Sequence, residues 1–187
     1  MRLFAAVNFS DTVCDTIETA IASFPVENPP WRWVERTNWH VTLKFIGDAP
    51  TARVNDIVVA LEGVASHHSC FPLTLADFGA FPDLRNPRVL FYNVSEGAEA
   101  LAALASDIDT ALADVGFGAE PKPFHAHATV ARVKRVLPRA VAGQLEAARA
   151  LAGAAQRVDS FELMESRLGR SGARYAPLKQ FALTPDA

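Results

Sequence analysis

Two short stretches decide the reading: Trp39-His40-Val41-Thr42-Leu43-Lys44-Phe45 and Ala126-His127-Ala128-Thr129-Val130-Ala131-Arg132. Both run histidine, any residue, threonine, aliphatic, inside segments of strand character. Side chains alternate along a strand, so each histidine shares a face with its own threonine. Two such strands facing one cleft present two imidazoles and two hydroxyls to a common point. Histidine titrates near pH 6.5, so one imidazole can act as a base while the other, protonated, acts as an acid. In-line hydrolysis of a phosphodiester needs that pair, one group for the attacking water and one for the departing oxygen. Threonine hydroxyls donate hydrogen bonds to the non-bridging oxygens, where the charge is concentrated. A strained cyclic phosphate needs no metal for this chemistry, so no cofactor is expected.

Outward from these stretches, helical periodicity appears four times. Val13, Ile17, Ile21 and Phe24 share a face, with Ser10 or Asp11 as cap. Val54, Ile57, Val58, Leu61 and Val64 form a second stripe, with Thr51 as cap. Leu101, Leu104, Ile108, Leu112 and Val115 form a third that Gly116 stops, and an alanine-rich fourth runs from about Arg139 to Ala152. Strand-like segments lie between them, at about residues 2–9, 39–46, 71–78, 88–94, 126–133, 158–164 and 178–184. Several are neighbours joined by short polar turns, Asp83 to Pro87 among them, which favours an α+β class with largely antiparallel sheet. No G-x-G-x-x-G or Walker loop occurs, so nucleotide-dependent readings have no local support.

The 187 residues favour one domain, 1–187, and 50% apolar with 21% charged residues is ordinary globular composition. Two cysteines outside any C-x-x-C pair argue against a disulfide scaffold and suit a reducing, cytoplasmic setting. The longest apolar run is six residues, Ala100 to Ala105, too short for a membrane span. A net charge of −3 excludes a broadly basic, shape-only nucleic-acid binder while leaving room for a local phosphate site.

With these residues in view, the chain resembles the two-histidine phosphoesterase superfamily, and most closely its RNA 2′,3′-cyclic phosphodiesterase branch, historically called 2′-5′ RNA ligase. The likeness extends from the opening Arg2-Leu3-Phe4-Ala5-Ala6-Val7 through both motifs to Phe161–Arg167 and Arg174-Tyr175-Ala176-Pro177-Leu178. It implies a bilobal α+β fold, two pseudo-symmetric, mostly antiparallel sheets facing a central cleft with helices outside. It implies His40 and His127 as the catalytic pair, with Thr42 and Thr129 as phosphate binders. His127 is expected to activate water and His40 to protonate the leaving 3′ oxygen, giving a 2′-phosphomonoester. The same resemblance matches Arg132 and Phe45 to positions used around the phosphate or nucleobase. Each lies five residues past its histidine, on the opposite face by strict alternation, and only a bulge or the end of the strand returns it to the cleft. The implied substrate is RNA with a 2′,3′-cyclic phosphate end, or a 2′,3′-cyclic nucleotide. No membrane is involved, and a monomer is expected.

Two further readings stand beside this one. A non-catalytic RNA-end-binding module would keep the cleft, although binding alone does not require a matched acid and base. A zinc hydrolase would use His40, His125 and His127, since His125 and His127 share a strand face. Elsewhere, His67-His68 reads as solvated surface, and Cys70 lacks the basic neighbours of a nucleophile. Arg167, Arg170 and Arg174 read as a basic loop, either a solvated turn or a rim that steers RNA. Lys44 shares the face of His40 and Thr42 and reads equally as reaching the cleft or as a solvent-facing lysine at a strand end; Lys122, Lys134 and Arg135 bracket the second motif, and Trp31, Trp33 and Trp39 read as packing residues.

Overall fold

Ser10, in extended conformation, accepts a hydrogen bond from the Val13 N–H and starts helix α1 (Asp11–Ala22), which buries Val13, Cys14 and Ile17. Helix α2 (Val54–Ala65) buries Ile57, Leu61 and Val64, one stripe of a 3.6-residue period. Thr51 does not cap it: Thr51–Arg53 form a single 3-10 turn, and Arg53 holds the cap position without a side-chain bond. Helix α3 (Ala98–Asp114) buries Leu101, Leu104, Ile108 and Leu112. It is followed by Gly116 at φ +85°, a left-handed position open to glycine. The computed structural model describes residues 1–24, 26, 29–135, 141, 143, 145, 153–169 and 172–185. The fourth expected helix therefore lies outside the described residues, apart from Val141, Gly143 and the buried Leu145, which are helical.

The strands are β1 (Arg2–Asn8), β2 (Trp31–Trp33), β3 (His40–Asp48), β4 (Phe71–Phe81), β5 (Val89–Glu96), β6 (His127–Val133), β7 (Ala155–Val158), β8 (Ser160–Gly169) and β9 (Gly172–Ala182). The expected segment 158–164 divides into β7 and β8 around Asp159, and the last strand begins at Gly172, six residues before its expected start. The three-residue β2 carries too few side chains to show a period, so sequence patterning misses it.

The spatial order is β7-β4-β5-β6-β3-β1-β8-β9, with β2 paired to the outer part of β6, and every pairing between these strands is antiparallel. The sequence becomes two four-strand halves, β7-β4-β5-β6 and β3-β1-β8-β9, each contributing one His-x-Thr strand to the middle. A single register pair, Val41↔Ala128, joins the halves. This is the bilobal α+β arrangement. One sheet face packs on the helices, through Leu3, Val7, Val41, Leu73, Val130 and Phe161 among others. On the other face a small separate cluster of Phe4, Ala6 and Met164 packs with Tyr175. No helix among the described residues is long and apolar enough to cross a membrane.

Candidate active site

Within β3, His40 and Thr42 are half-buried and flank the fully buried Val41; within β6, His127 and Thr129 flank the fully buried Ala128 in the same way. In an antiparallel pair fixed at Val41↔Ala128, the next residues outward are His40 facing Thr129 and Thr42 facing His127. The four side chains form a crossed square on the face away from the helices.

Each imidazole is oriented the same way. His40 Nδ1 lies 2.9 Å from the Asn38 carbonyl oxygen, and His127 Nδ1 lies 2.7 Å from the His125 carbonyl oxygen. A carbonyl only accepts, so each Nδ1 carries the hydrogen and each neutral ring keeps its lone pair on Nε2. His40 Nε2 takes the Thr42 hydroxyl hydrogen at 2.9 Å. In both motifs the backbone carbonyl two residues before the histidine selects the tautomer.

Strict alternation ends one step past each threonine. In β3 the register jumps between Ala5↔Lys44 and Ala6↔Thr42, leaving Leu43 as an extra residue. In β6 it jumps between Leu90↔Ala131 and Phe91↔Thr129, leaving Val130 extra. These are β-bulges at matching places, with two successive buried residues in each strand: Leu43 with Lys44, and Val130 with Ala131. The phase flips, and Phe45 and Arg132 return to the face of the histidines. Phe45 is 63% exposed, with its ring 6.2 Å from that of Phe4, whose other side lies 5.1 Å from His40. Arg132 is exposed, and its charge acts on His40.

The same bulge overturns the expectation for Lys44. Its side chain turns to the helix face, where the ammonium pairs with Asp109 of α3 and donates to the Gly118 carbonyl at 2.8 Å. That ion pair holds the Asp109 carboxyl below its ordinary range, helped by the Glu120 N–H.

Burial pushes His40 down to about 4, and the His127 and Arg132 charges act in the same direction against the Asn38 carbonyl, which favours the proton. Burial also lowers His127, opposed by the His125 carbonyl and reinforced by the His125 ring. Aromatic rings supply the low-dielectric walls. Phe4 and Tyr175 lie 5.1 and 5.4 Å from the His40 ring, and Phe81 and Phe91 both lie 5.1 Å from the His127 ring. Gly79, opposite Phe91, makes room for one of them, since a Cβ there would sit 2.6 Å from the Phe91 ring.

The family model for LigT like Phosphoesterase matches the chain twice, over residues 10–91 and 93–175. The chain belongs to the LigT-like phosphoesterase family. Each match contains one His-x-Thr strand, so the two halves of this LigT-like chain are alike in sequence as well as in fold. An Archaeoglobus fulgidus protein named RNA 2′,3′-cyclic phosphodiesterase is 32% identical over 181 residues, 97% of this chain and 99% of that one. A solved structure from Thermus thermophilus superposes with a TM-score of 0.83 at 27% identity, covering 100% of both chains. E. coli LigT, solved in complex with 3′-AMP, superposes with a TM-score of 0.80 at 26% identity over 98% of each chain.

Other sequence expectations for the LigT-like chain sort by where the strands put them. His125 lies beside His127, ring centroids 5.6 Å apart, but among the described residues no three His, Cys, Asp or Glu side chains converge as metal ligands do. The supposed basic loop is instead part of a hairpin: Arg167 pairs with Arg174 across β8 and β9, one residue out of phase with Ser166↔Tyr175. Tyr175 lies on the cleft face, so both arginines point to the other face, where Arg167 pairs with Glu165 at 2.7 Å; Arg170 lies outside the described residues. His67 is exposed, whereas His68 is half-buried and its Nε2 lies 2.8 Å from Asp107 of α3. Trp31 and Trp39 are buried and Trp33 stacks edge-on with Phe24, so all three pack. Sequence reasoning missed Phe4, Tyr175, Phe81 and Phe91 around the imidazoles. Their membership depends on which strands become neighbours, and no local spacing signals that.

Proposed function

We propose that this cleft hydrolyses 2′,3′-cyclic phosphates at RNA ends or on nucleotides to 2′-phosphomonoesters, by paired histidine acid–base catalysis without a metal. The observation that carries the reading is the doubled orientation: two imidazoles on neighbouring strands, each fixed through Nδ1 to the carbonyl two residues before it, which leaves Nε2 for chemistry, with His40 Nε2 beside the Thr42 hydroxyl. Family membership and the names of the relatives support the same activity. The cleft is complete within one chain, consistent with a monomer, and the free Cys14 and Cys70 suit a reducing cytoplasm.

Hydrolysis proceeds by in-line attack. His127 Nε2 takes a proton from water as the water oxygen bonds to phosphorus; the bond from phosphorus to O3′ breaks, and His40 Nε2–H protonates O3′. Burial draws His40 down to about 4, which makes its protonated form a strong acid, and it lowers His127 as well. The working form, neutral His127 with charged His40, is one of the two singly protonated forms of the empty cleft. A phosphate anion against Nε2 supplies the counter-charge that raises its share. Substrate also takes over the Thr42 hydroxyl, which then donates to a non-bridging oxygen and releases His40 Nε2; Thr129 donates to a non-bridging oxygen from the other strand. Phe45 and Arg132, returned to the cleft by the bulges, contact the nucleobase and the phosphate.

Incubation with 2′,3′-cyclic AMP, and with RNA ending in a cyclic phosphate, both in EDTA, tests this. The expected product is the 2′-phosphate. A 3′-phosphate product overturns the leaving-group assignment, and no turnover of either substrate overturns the activity.

A further inference from the structure

Strand β2 places Arg32 directly opposite Arg132 in the antiparallel register Trp31↔Val133, Arg32↔Arg132, Trp33↔Ala131. Trp31 and Ala131 are buried on the helix face, and Trp31 and Trp33 both pack edge-on against Phe24. Arg32 therefore shares the cleft face with Arg132, His127 and Thr129. Two like charges directly opposed across neighbouring strands are unfavourable, and their Cα atoms lie only about 5 Å apart. Among the described residues Arg32 has one acidic contact, Glu35 at 3.8 Å, with side chains 51% and 60% exposed, and such surface pairs contribute little. Arg132 forms no ion pair among the described residues. A pair of unopposed guanidinium groups beside a phosphate-handling cleft is suited to a bridging anion, since each presents a planar fork to phosphate oxygens.

Building on the proposed cyclic phosphodiesterase activity, the structure assigns Arg32, acting with Arg132, as a second phosphate subsite that holds the linkage one nucleotide upstream of the cyclic end. The chain then selects RNA ends over free cyclic nucleotides. Arg132 lies nearer the reacting phosphate, since its charge acts on His40, and Arg32 lies one strand further out.

The test compares a trinucleotide ending in a 2′,3′-cyclic phosphate with 2′,3′-cyclic AMP. Arg32→Gln should lower the ratio of their kcat/KM values about tenfold, the scale of one charge-assisted phosphate contact. Binding of the trinucleotide bearing a 2′-phosphate should lose about 0.7 in its salt slope, one single-strand phosphate contact. Arg32→Lys should retain most of both, because a point charge still meets the phosphate. A methylphosphonate at the upstream linkage should reproduce the loss in the unaltered protein and add nothing in R32Q. An unchanged ratio in R32Q, or two losses that multiply, overturns the subsite. The binding measurement needs no turnover. Arg32-dependent binding without hydrolysis of either substrate therefore removes the enzymatic reading alone, whereas hydrolysis without Arg32 dependence removes the subsite alone.

Discussion

A histidine whose Nδ1–H is committed to a carbonyl works through Nε2 alone, and both imidazoles of this cleft are so committed. His40→Ala or His127→Ala should each lower turnover by about 10²–10⁴-fold, the usual worth of a positioned acid or base. The double variant should be little slower than either single one, because the pair acts as a unit. Strictly multiplicative losses would mean separate sites. The threonines are a different case: Thr42→Ala and Thr129→Ala each remove one donor to a charged oxygen, roughly 1.5–3 kcal/mol, or about 10- to 150-fold in kcat/KM. Serine at either position should restore much of that, and a serine as damaging as alanine would show that packing, rather than the hydroxyl, is what counts. The titrations set the pH profile. Both imidazoles bind protons less readily than a free one, so the bell of kcat/KM should lie below pH 6.5, its lower limb drawn toward about 4 by His40. A bound phosphate favours the charged forms, so the kcat bell should lie at higher pH than that of kcat/KM. His127→Ala should erase the acidic limb and His40→Ala the alkaline one, with EDTA leaving both in place. The opposite pattern of limbs would exchange the two roles.

At the scale of a strand, the two bulges explain both what was legible in the sequence and what was not. Period-two alternation locates His40 with Thr42 and His127 with Thr129, because no bulge intervenes. Beyond each threonine it fails: it puts Lys44 on the cleft face, to reach the cleft or solvent, where the structure buries it against α3, and it sends Phe45 and Arg132 away from the cleft. Bulge position depends on the register of the neighbouring strand, here β1 for one motif and β5 for the other, which no local spacing records. Lys44 gives the test. Lys44→Met keeps the buried stem but breaks the pair with Asp109, which is 28% exposed and can rehydrate. It should cost about 1–3 kcal/mol in denaturant unfolding and leave kcat/KM within about twofold. A tenfold kinetic loss with unchanged stability would place the ammonium in the cleft after all. Gly79 tests the other half of the element scale. A Cβ 2.6 Å from the Phe91 ring forces that ring to shift, and its centroid lies 5.1 Å from that of His127. Gly79→Ala should lower kcat/KM by about 10- to 100-fold, because small misplacements of a catalytic group are expensive. Adding Phe91→Leu, which frees the space, should recover part of it; no recovery would mean that Gly79 acts on something other than the ring.

For the whole molecule, the sequence shows the duplication but not the seam. Two His-x-Thr strands imply two halves, yet within the sheet the halves pair at one register position, Val41↔Ala128, with β2 taking over the edge of β6 beyond it. Around that seam burial depresses both histidines. That burial links function to global stability. Folded His40 holds its proton only near pH 4, whereas the unfolded chain binds one near 6.5. Between these values the unfolded state carries more protons, so stability rises with pH and falls as the solution is acidified. The full difference is at most about 3 kcal/mol, since each tenfold change in proton affinity is worth about 1.4 kcal/mol and the ring is only half-buried. His127 adds to it in the same direction, and Asp109 adds a further loss as pH falls through the ordinary carboxylate range, because its folded pKa is also depressed. Urea unfolding at pH 7.0, 5.5 and 4.5 should therefore show a falling midpoint in the unaltered protein. His40→Gln, which keeps an amide near the Asn38 carbonyl but cannot titrate, should flatten that fall. Inorganic phosphate, binding the folded cleft and favouring charged imidazoles, should steady the midpoint most at the acid end. A fall of equal steepness in His40→Gln would locate the acid sensitivity outside the cleft and remove burial of this imidazole as the cost of the site.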